Sequence, residues 1–179
     1  MSRRAKKIEK RVSTDPKYNS ELVAHIIRVV MKDGKKTTAE RIIYGAIDRI
    51  AAEIEKNPEK FKKTAEGQEP TAVTDPLEVV SHAISNMKPK VEVKTRRVGG
   101  TTYPVPVEIN PVRQLSLALR WMTTFAAGRR GMGMAAAVAA EIVDAFQGQG
   151  SVIKKRDDVH KMAQANKAFA HYAWGNNAG

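Results

Sequence analysis

Residues 89–109 read Pro89-Lys-Val-Glu-Val-Lys-Thr-Arg-Arg-Val98, then Gly99-Gly100, then Thr101-Thr-Tyr-Pro-Val-Pro-Val-Glu-Ile109. β-Branched and aromatic residues on both sides of a two-residue glycine turn are typical of a β-hairpin. The turn sets the register, so that Val98 pairs with Thr101 and Arg96 with Tyr103. Both prolines of the second strand then take non-hydrogen-bonded positions, where a missing N–H costs the ladder nothing. The sequence therefore predicts an antiparallel hairpin here.

This hairpin is predicted to be an arm that stands out from the body of the protein. Arg96 and Arg97 are adjacent, so their side chains point to opposite faces of the ribbon. Aliphatic residues gather instead at its base, at Val91, Val93, Val105 and Val107. An arm with positive charge on both faces near its tip suits contact with a polyanion.

The charge of the whole chain favours the same kind of partner. With 179 residues, 42% of them hydrophobic, the chain is expected to form one domain with an ordinary core. Its 31 lysines and arginines outnumber 19 aspartates and glutamates, which leaves a net charge of +12. The charge is segregated, because residues 40–80 hold nine of the acids and only six of the bases. Such a surface favours nucleic acid or an anionic membrane.

Several classes of protein are disfavoured by what the sequence lacks. There is no cysteine, which excludes disulfides, thiolate nucleophiles and cysteine-based zinc sites and favours a reducing compartment. No apolar run follows the basic N-terminus, so it is not a signal peptide. The longest weakly apolar run, residues 133–140, is too short to span a bilayer. We expect a cytoplasmic protein with no transmembrane helix and no membrane partner.

Six helices are predicted from apolar spacing and helix-end signals. The first helix is predicted from Ser20 to Asp33-Gly34. The second begins at a capping box formed by Thr37 and Glu40 and ends at Asn57-Pro58. The third begins at Asp75-Pro76 and ends just before Pro89. The fourth begins at Asn110-Pro111 with Val112, Leu115, Leu119 and Met122 inward, and Gly128 to Gly131 ends it. An alanine-rich fifth helix extends to Gly148, and a sixth carries Val159, Met162, Ala163, Asn166, Phe169 and Ala170.

The predicted fold class is mainly α: a six-helix, bundle-like body with one protruding two-stranded β-hairpin arm and a flexible basic N-terminal arm. The single domain divides into the N-terminal arm at 1–16, helices at 17–88, the hairpin arm at 89–109, helices at 110–174 and a tail at 175–179. Residues 57–74 are charged and aperiodic, so we expect an insertion or mobile loop there.

Clusters of basic residues are the candidate binding surface. Residues 1–12 carry six bases and one acid, which predicts a flexible basic arm, or alternatively a solvated tail without a partner. The clusters at 35–36, 129–130 and 154–156 are each expected in a connection between helices, and alternate connections of an antiparallel bundle lie at one end. Exposed aromatics suited to stacking on bases are Tyr103, Tyr172 and Trp174, although Tyr103 equally suits covering Arg96 across the ladder.

No catalytic motif is found in the sequence. The four histidines lie far apart, and neither a two-histidine zinc motif nor a nucleophile elbow occurs. Asp157, Asp158 and His160 form one candidate acid–base group, but carboxylates in the first turn of a helix also stabilise its positive end. We expect that the chain is not an enzyme and uses no metal, cofactor or small-molecule substrate.

Three long motifs carry a family resemblance: residues 33–40, residues 91–108 and residues 154–172. With these motifs in this order, the chain closely resembles the small-subunit ribosomal protein seven family in its bacterial form. The resemblance extends over roughly residues 1–174 apart from the 57–74 segment. It implies a six-helix body with a β-hairpin arm, which agrees with the count reached from the pattern alone.

The resemblance also implies a function and a set of contacts. It implies a ribosome-bound structural constituent of the small subunit that binds ribosomal RNA directly and organises assembly of the subunit head. The arm is expected near exit-site tRNA and the mRNA path, and the C-terminal segment near neighbouring proteins including protein eleven. The implied rRNA contacts are Arg3, Arg4, Lys6, Lys7, Lys10, Arg11, Lys35, Lys36, Lys94, Arg96, Arg97, Arg113, Arg129, Arg130, Lys154, Lys155 and Arg156. The implied tRNA- and mRNA-proximal positions are Arg97, Val98, Gly99, Gly100, Thr101 and Tyr103. A free RNA- or DNA-binding regulator that uses the arm in a groove remains the alternative.

Overall fold

Six α-helices and a β-hairpin make up most of the computed structural model, which describes residues 14–63 and 71–172. The helices are α1 (Glu21–Val30), α2 (Lys36–Lys56), α3 (Pro76–Met87), α4 (Pro111–Gly128), α5 (Met134–Phe146) and α6 (Ser151–Ala165). The strands are β1 (Lys62–Lys63), β2 (Thr71–Ala72), β3 (Val91–Val98) and β4 (Thr101–Glu108), and 3-10 helices cover Pro58–Phe61 and Lys167–Tyr172. The predicted mainly α class, with six helices and one β-hairpin, is confirmed; the predicted N-terminal arm lies outside the described residues.

Helix α5 lies at the centre of the body and contacts α2, α3, α4 and α6. Its alanines leave room for close approach, so that Val138 and Ile142 are almost fully buried among the surrounding helices. The closeness is visible at Gly45 of α2, where an added Cβ would lie 3.6 Å from the Cβ of Ala135. The small residues of this helix therefore set the spacing of the whole body.

Three of the predicted helix starts are confirmed by side-chain caps. Ser20 Oγ accepts a hydrogen bond from the N–H of Val23, Asp75 Oδ1 from Leu77 and Asn110 Oδ1 from Val112. Each cap satisfies a backbone donor that the first turn of a helix leaves unpaired.

The connection between α1 and α2 differs from the prediction. Helix α1 ends at Val30 instead of Asp33-Gly34, because Met31 already leaves the helical conformation (ψ 132°). Asp33 and Gly34, with φ of 53° and 71°, form a separate turn. Helix α2 then begins at Lys36, so Thr37 lies inside the helix and the predicted Thr37–Glu40 capping box is wrong. Glu40 instead faces Lys36, one helical turn away, at 3.5 Å.

The hairpin has the predicted register. Val98 pairs with Thr101 and Arg96 with Tyr103, and the pairing continues to Val91 opposite Glu108. Gly99 and Gly100 have φ values of 57° and 88°, a left-handed conformation at two successive residues that only glycine adopts without strain. This explains why a Gly-Gly pair was enough to predict the turn.

Residues 57–63 and 71–74 form ordered structure where the sequence predicted an insertion or mobile loop. Phe61 in the 3-10 helix is fully buried, with its ring centroid 5.6 Å from that of Phe146. Strands β1 and β2 pair, and the N–H of Val73 donates to the Phe61 carbonyl at 2.8 Å. Both ends of the segment therefore belong to the core, while residues 64–70 lie outside the part described.

Three further expectations about the helices are wrong. Val112 was expected inward, but it is 72% exposed because it lies in the first turn of α4, before the helix reaches the body. Helix α6 begins at Ser151, since Val152 and Ile153 are buried and anchor its first turn to the core. Residues 154–156 are therefore helical and do not form a connection. Met162, placed on the apolar face of that helix, is 49% exposed.

Candidate nucleic-acid interface

Two of the basic connections lie side by side at one end of the body. The α1–α2 connection and the α4–α5 connection flank a groove of about 240 Å³. Its lining includes Lys32, Lys35 and Thr38 from the first side and Thr123, Ala127 and Met134 from the second. Lys35 and Lys36 are thus brought close to the connection that carries Arg129 and Arg130. We call Lys32, Lys35, Lys36 and Arg130 the basic end.

The side chains of the basic end are available to an external anion. Lys35 and Arg130 are exposed, and neither forms an ion pair with any residue in the described ranges. Lys36 pairs with Glu40 across one turn, but 64% of the Lys36 side chain remains exposed. Exposed pairs of this kind contribute little, so Lys36 gives up its partner at small cost.

Arg129 is committed to the protein itself. Its guanidinium donates to Glu141 at 2.7 Å and to Asp144, both on α5. Burial alone would lower the pKa of Arg129, but the hydrogen bonds that Arg129 donates to Asp144 and Glu141 outweigh burial and raise the pKa. Glu141 is 1% exposed, and its Oε2 has no hydrogen-bond partner in the part of the chain described. Contact of Arg129 with RNA stays a prediction. In such a contact, phosphate would have to compete with these two carboxylates for the guanidinium.

The third basic cluster lies on the surface of α6. Lys154 and Lys155 are exposed on the helix and carry no ion pair among the residues that the structure covers. Arg156 differs, because it donates to the Asn86 carbonyl at the end of α3 and pairs with Asp157 at 2.7 Å. This residue ties α6 to α3, whereas the two lysines are free to meet a ligand.

The two arginines of the arm have different surroundings. Arg97 is exposed, whereas Arg96 is half-buried and donates to the carbonyl of Tyr172 in the C-terminal 3-10 helix. Tyr103, directly opposite Arg96 in the ladder, stacks on Tyr172 at 5.1 Å and tilts against Phe169 at 5.5 Å. The C-terminal 3-10 helix therefore braces one face of the arm, and the other face presents Arg97.

Tyr103 and Tyr172 are accordingly not the exposed stacking platforms that we expected. Both rings are half-buried against each other. The signal that was missed is the aromatic pair Phe169 and Tyr172 in the C-terminal motif, which supplies a partner for an aromatic residue on the arm. Trp174 and the six N-terminal bases lie outside the described residues.

At the base of the arm, Glu92 holds two of the predicted contact residues. Arg113 donates to it through Nε at 3.0 Å and Nη2 at 2.9 Å, and Lys94 lies 3.0 Å from the same carboxylate. Burial raises the pKa of Glu92, but the hydrogen bonds from Arg113 and Lys94 more than offset it, and the pKa is lowered overall. The signal in the sequence was the i, i+2 spacing of Glu92 and Lys94, which places both on one face of the strand.

The candidate acid–base group of α6 is not arranged at a helix start. Asp157 and Asp158 lie in the middle of the helix. The expectation that they stabilise the positive end of a helix is therefore wrong. Asp157 pairs with Arg156, and His160 Nε2 accepts a hydrogen bond from the Lys90 N–H at 3.0 Å. His160 therefore joins α6 to the segment before the arm, whereas the ion pair of Asp157 lies within α6. None of the described helices is long and apolar enough to cross a membrane.

Comparisons with known proteins agree with the motifs. A family model described as ribosomal protein S7p/S5e matches residues 2–167. The small ribosomal subunit protein uS7 of Akkermansia muciniphila is 49% identical over 174 residues, which is 97% of this chain and 100% of the relative. The proteins of the same name from Thermodesulfovibrio yellowstonii and Sorangium cellulosum are 49% and 47% identical over the same shares of the two chains.

The matches confirm the resemblance found in the three motifs. They also confirm that the chain is a ribosomal protein of the small subunit, working on the ribosome in the cytoplasm, and not an enzyme. The chain belongs to the ribosomal protein S7p/S5e family.

Proposed function

We propose that this ribosomal protein binds small-subunit ribosomal RNA directly through the basic end, through Lys154 and Lys155 on α6, and through its basic N-terminal segment. In this proposal it helps to organise the head of the subunit during assembly. The arm reaches toward exit-site tRNA and the mRNA path, and the C-terminal segment approaches neighbouring proteins such as protein eleven.

The observation that carries the proposal is the pairing state of the basic side chains. Lys35, Arg97, Arg130, Lys154 and Lys155 are exposed and have no carboxylate partner among residues 14–63 and 71–172. A cation without an internal partner releases counterions from a phosphate without first breaking a contact in the protein. Among the predicted contact residues in the described ranges, these five and Lys36 are therefore the strongest candidates for phosphate contacts.

Affinity for small-subunit rRNA tests the basic end. Replacing Lys35 and Arg130 together by alanine should weaken binding by about 10- to 30-fold near physiological salt, since each phosphate contact contributes to counterion release. The matched control is the pair Arg49 and Lys56, which are exposed bases on α2 in the acid-rich part of the sequence. Equal losses from the two double variants would contradict a localised RNA-binding end.

The position of the arm is tested on assembled small subunits. Because the chain has no cysteine, a single cysteine carrying a photo-cross-linker can be placed at Thr102 on the exposed part of the arm. We expect cross-links from this position to mRNA and to exit-site tRNA, and none from a cysteine at Glu55 on the far part of α2. The reverse pattern would exclude the proposed orientation of the arm.

Gradient fractionation distinguishes the ribosomal role from that of a free regulator. A constituent of the subunit sediments with small subunits at every stage of growth. Persistent absence from that fraction would favour the regulatory alternative, which would use the same exposed bases, including Arg97 on the arm, on another nucleic acid.

A further inference from the structure

A compact turn at residues 14–19, which we call the N-terminal turn, precedes α1. At its centre is Asp15, an acidic residue that is only 2% exposed. Its Oδ2 accepts hydrogen bonds from the backbone N–H groups of Lys17 at 3.0 Å and Tyr18 at 2.9 Å. Its Oδ1 accepts from the hydroxyl of Tyr44 on α2 at 2.7 Å. One carboxylate thus folds the turn and joins it to α2.

A second set of contacts holds the same turn to α2. Asp48 accepts from Lys17 Nζ and from the Tyr18 hydroxyl, each at 3.3 Å. The ring of Tyr18 packs edge-on against Tyr44 with centroids 5.8 Å apart, and Lys17 Nζ lies 5.0 and 5.1 Å from the two ring centroids. Burial and the hydrogen bond to Asp15 raise the pKa of Tyr44 to about 12, so its hydroxyl remains a donor at physiological pH.

These contacts exceed what the start of α1 requires. Ser20 already caps the helix through its own side chain. The turn closes separately, through a hydrogen bond from the Asn19 N–H to the Asp15 carbonyl at 2.8 Å, with Asn19 in a left-handed conformation (φ 49°). What the turn determines is the place and direction in which the chain before Asp15 leaves the body.

That place is next to the basic end. Thr14 and Pro16 line a groove together with Arg28 of α1 and Lys36 of α2. Both acids of this groove are engaged, since Asp15 holds the turn and Glu40 pairs with Lys36. Thr14, the first described residue, thus lies beside Lys36, and the six bases of residues 3–11 precede it in the sequence.

We infer that Asp15 and Tyr44 are positioning residues for ribosomal RNA binding: they anchor the N-terminal turn to α2 and so direct the basic N-terminal segment onto the basic end. Neither residue contacts RNA in this scheme. The inference rests on the proposed function, because it assumes that the N-terminal bases and the basic end bind one RNA.

The size of the effect follows from the length of the tether. With the turn anchored, Arg11 is three residues from Thr14, the first anchored residue; with the turn released, the first ordered residue is Glu21, ten residues away. Because effective concentration falls roughly as the −3/2 power of tether length, releasing the turn should weaken rRNA binding by about two- to sixfold.

The experiment compares the anchor variants in two full-length backgrounds, the natural chain and a chain in which Arg3, Arg4, Lys6, Lys7, Lys10 and Arg11 are all glutamine. In the natural background Asp15→Ala and Tyr44→Phe should each weaken binding of small-subunit rRNA, and Asp15→Asn, which keeps one acceptor oxygen, should restore most of it. In the neutralised background the same changes should leave affinity unaltered, because there is no charged segment to position.

The outcomes separate the inference from the proposed function. Wild-type affinity in the neutralised chain would remove the N-terminal bases from the RNA-binding surface, and the proposed function would fail in that part. Weak binding by the neutralised chain, combined with equal effects of Tyr44→Phe in both backgrounds, would show a purely structural role and overturn the inference. Tyr44→Phe keeps the half-buried ring, so this comparison remains informative even if Asp15→Ala does not fold.

Discussion

Arg129 and Arg130 are neighbours in the chain but have different roles in the structure. Arg130 is exposed in the α4–α5 connection, whereas Arg129 donates to Glu141 and Asp144 on α5. Glu141 lies twelve residues after Arg129 in the sequence, on α5, whose buried residues are otherwise apolar. Sequence spacing alone does not reveal which of two adjacent arginines turns toward it, so both were predicted as RNA contacts.

Replacing each arginine by alanine should separate these roles. Arg129→Ala leaves a buried carboxylate without its cation and should lower the free energy of unfolding by about 2–3 kcal/mol, reduced from the fully buried case because Arg129 is 28% exposed. Arg130→Ala should change it by less than about 0.5 kcal/mol and weaken rRNA binding instead. Denaturant titration measures the first effect and an rRNA binding assay the second.

The control for this pair is Glu141→Gln in the Arg129→Ala background. Removing the negative charge should recover part of the lost stability, since the uncompensated buried carboxylate is the cause of the loss. If the double variant is no more stable than Arg129→Ala alone, the ion pair is not what stabilises the connection.

His160 makes a contact at the base of the arm that depends on pH. Its Nε2 accepts from the Lys90 N–H, which requires a neutral ring. Burial and the nearby Arg156 lower the pKa of His160, with Lys90 acting in the same direction and Asp157 against it. Lys167 and Glu108 line the same groove. Because the pKa of His160 is lower in the folded state, its contact with Lys90 is fully present above the ordinary histidine pKa. The contact is lost as pH falls through the pKa of His160 in the folded protein.

Amide hydrogen exchange at Lys90 measures this loss directly. After correction for the intrinsic rate, protection at Lys90 should fall about fivefold between neutral pH and pH about 5, which corresponds to one hydrogen bond of ordinary strength. In His160→Ala, protection should be low at both pH values. His25, whose pKa is also lowered by burial, serves as the control, because His25→Ala should leave the behaviour of Lys90 unchanged.

At the scale of elements, the arm and the C-terminal 3-10 helix act as one unit. Tyr103 packs against Phe169 and Tyr172, and Arg96 donates to the Tyr172 carbonyl. Aromatic pairs of this kind each contribute about 0.5–1.5 kcal/mol beyond the area they bury. A free two-stranded hairpin is marginally stable in water, so this brace accounts for an arm that keeps its direction.

Distances between two spin labels test the brace. With cysteines at Thr102 on the arm and Glu55 on α2, the otherwise cysteine-free chain should give a narrow distance distribution. Tyr103→Ala and Phe169→Ala should broaden it, because each removes one ring from the stack. Tyr172→Phe keeps the ring and the backbone carbonyl and should leave the distribution narrow. A narrow distribution in both alanine variants would mean that the base of the hairpin alone holds the arm.

The elements that were predicted correctly are those with local signals. The hairpin followed from a glycine pair that the turn demands, and three helix starts followed from Ser20, Asp75 and Asn110. The errors arose where distant contacts decide. Helix α6 starts early because Val152 and Ile153 reach the core, and Phe61 is ordered by Phe146, 85 residues away in the sequence. Neither partner is visible in a local window.

At the scale of the whole molecule, the bases predicted to contact RNA fall into two classes in the described structure. Some bases serve the protein, because they have an internal partner: Lys94, Arg96, Arg113, Arg129 and Arg156. Others have none among the residues described: Lys35, Arg97, Arg130, Lys154 and Lys155. The family resemblance implied RNA contact for all ten, and the sequence does not show which of these cations already have a partner within the protein.

This division predicts how rRNA binding depends on salt. If the six N-terminal bases, Lys36 and the five unpaired bases each neutralise one phosphate, log K should fall with log salt with a slope of about −10. Neutralising the N-terminal bases should reduce the magnitude of the slope by about 5, and replacing Lys35, Arg130, Lys154 and Lys155 by glutamine should reduce it by about 4. Lys94→Gln with Arg113→Gln removes two bases that Glu92 already holds, so it should leave the slope nearly unchanged. A change of about 2 in that control would show that the ion pairs at the base of the arm open when RNA binds, and that pairing in the free protein does not decide which cations meet phosphate.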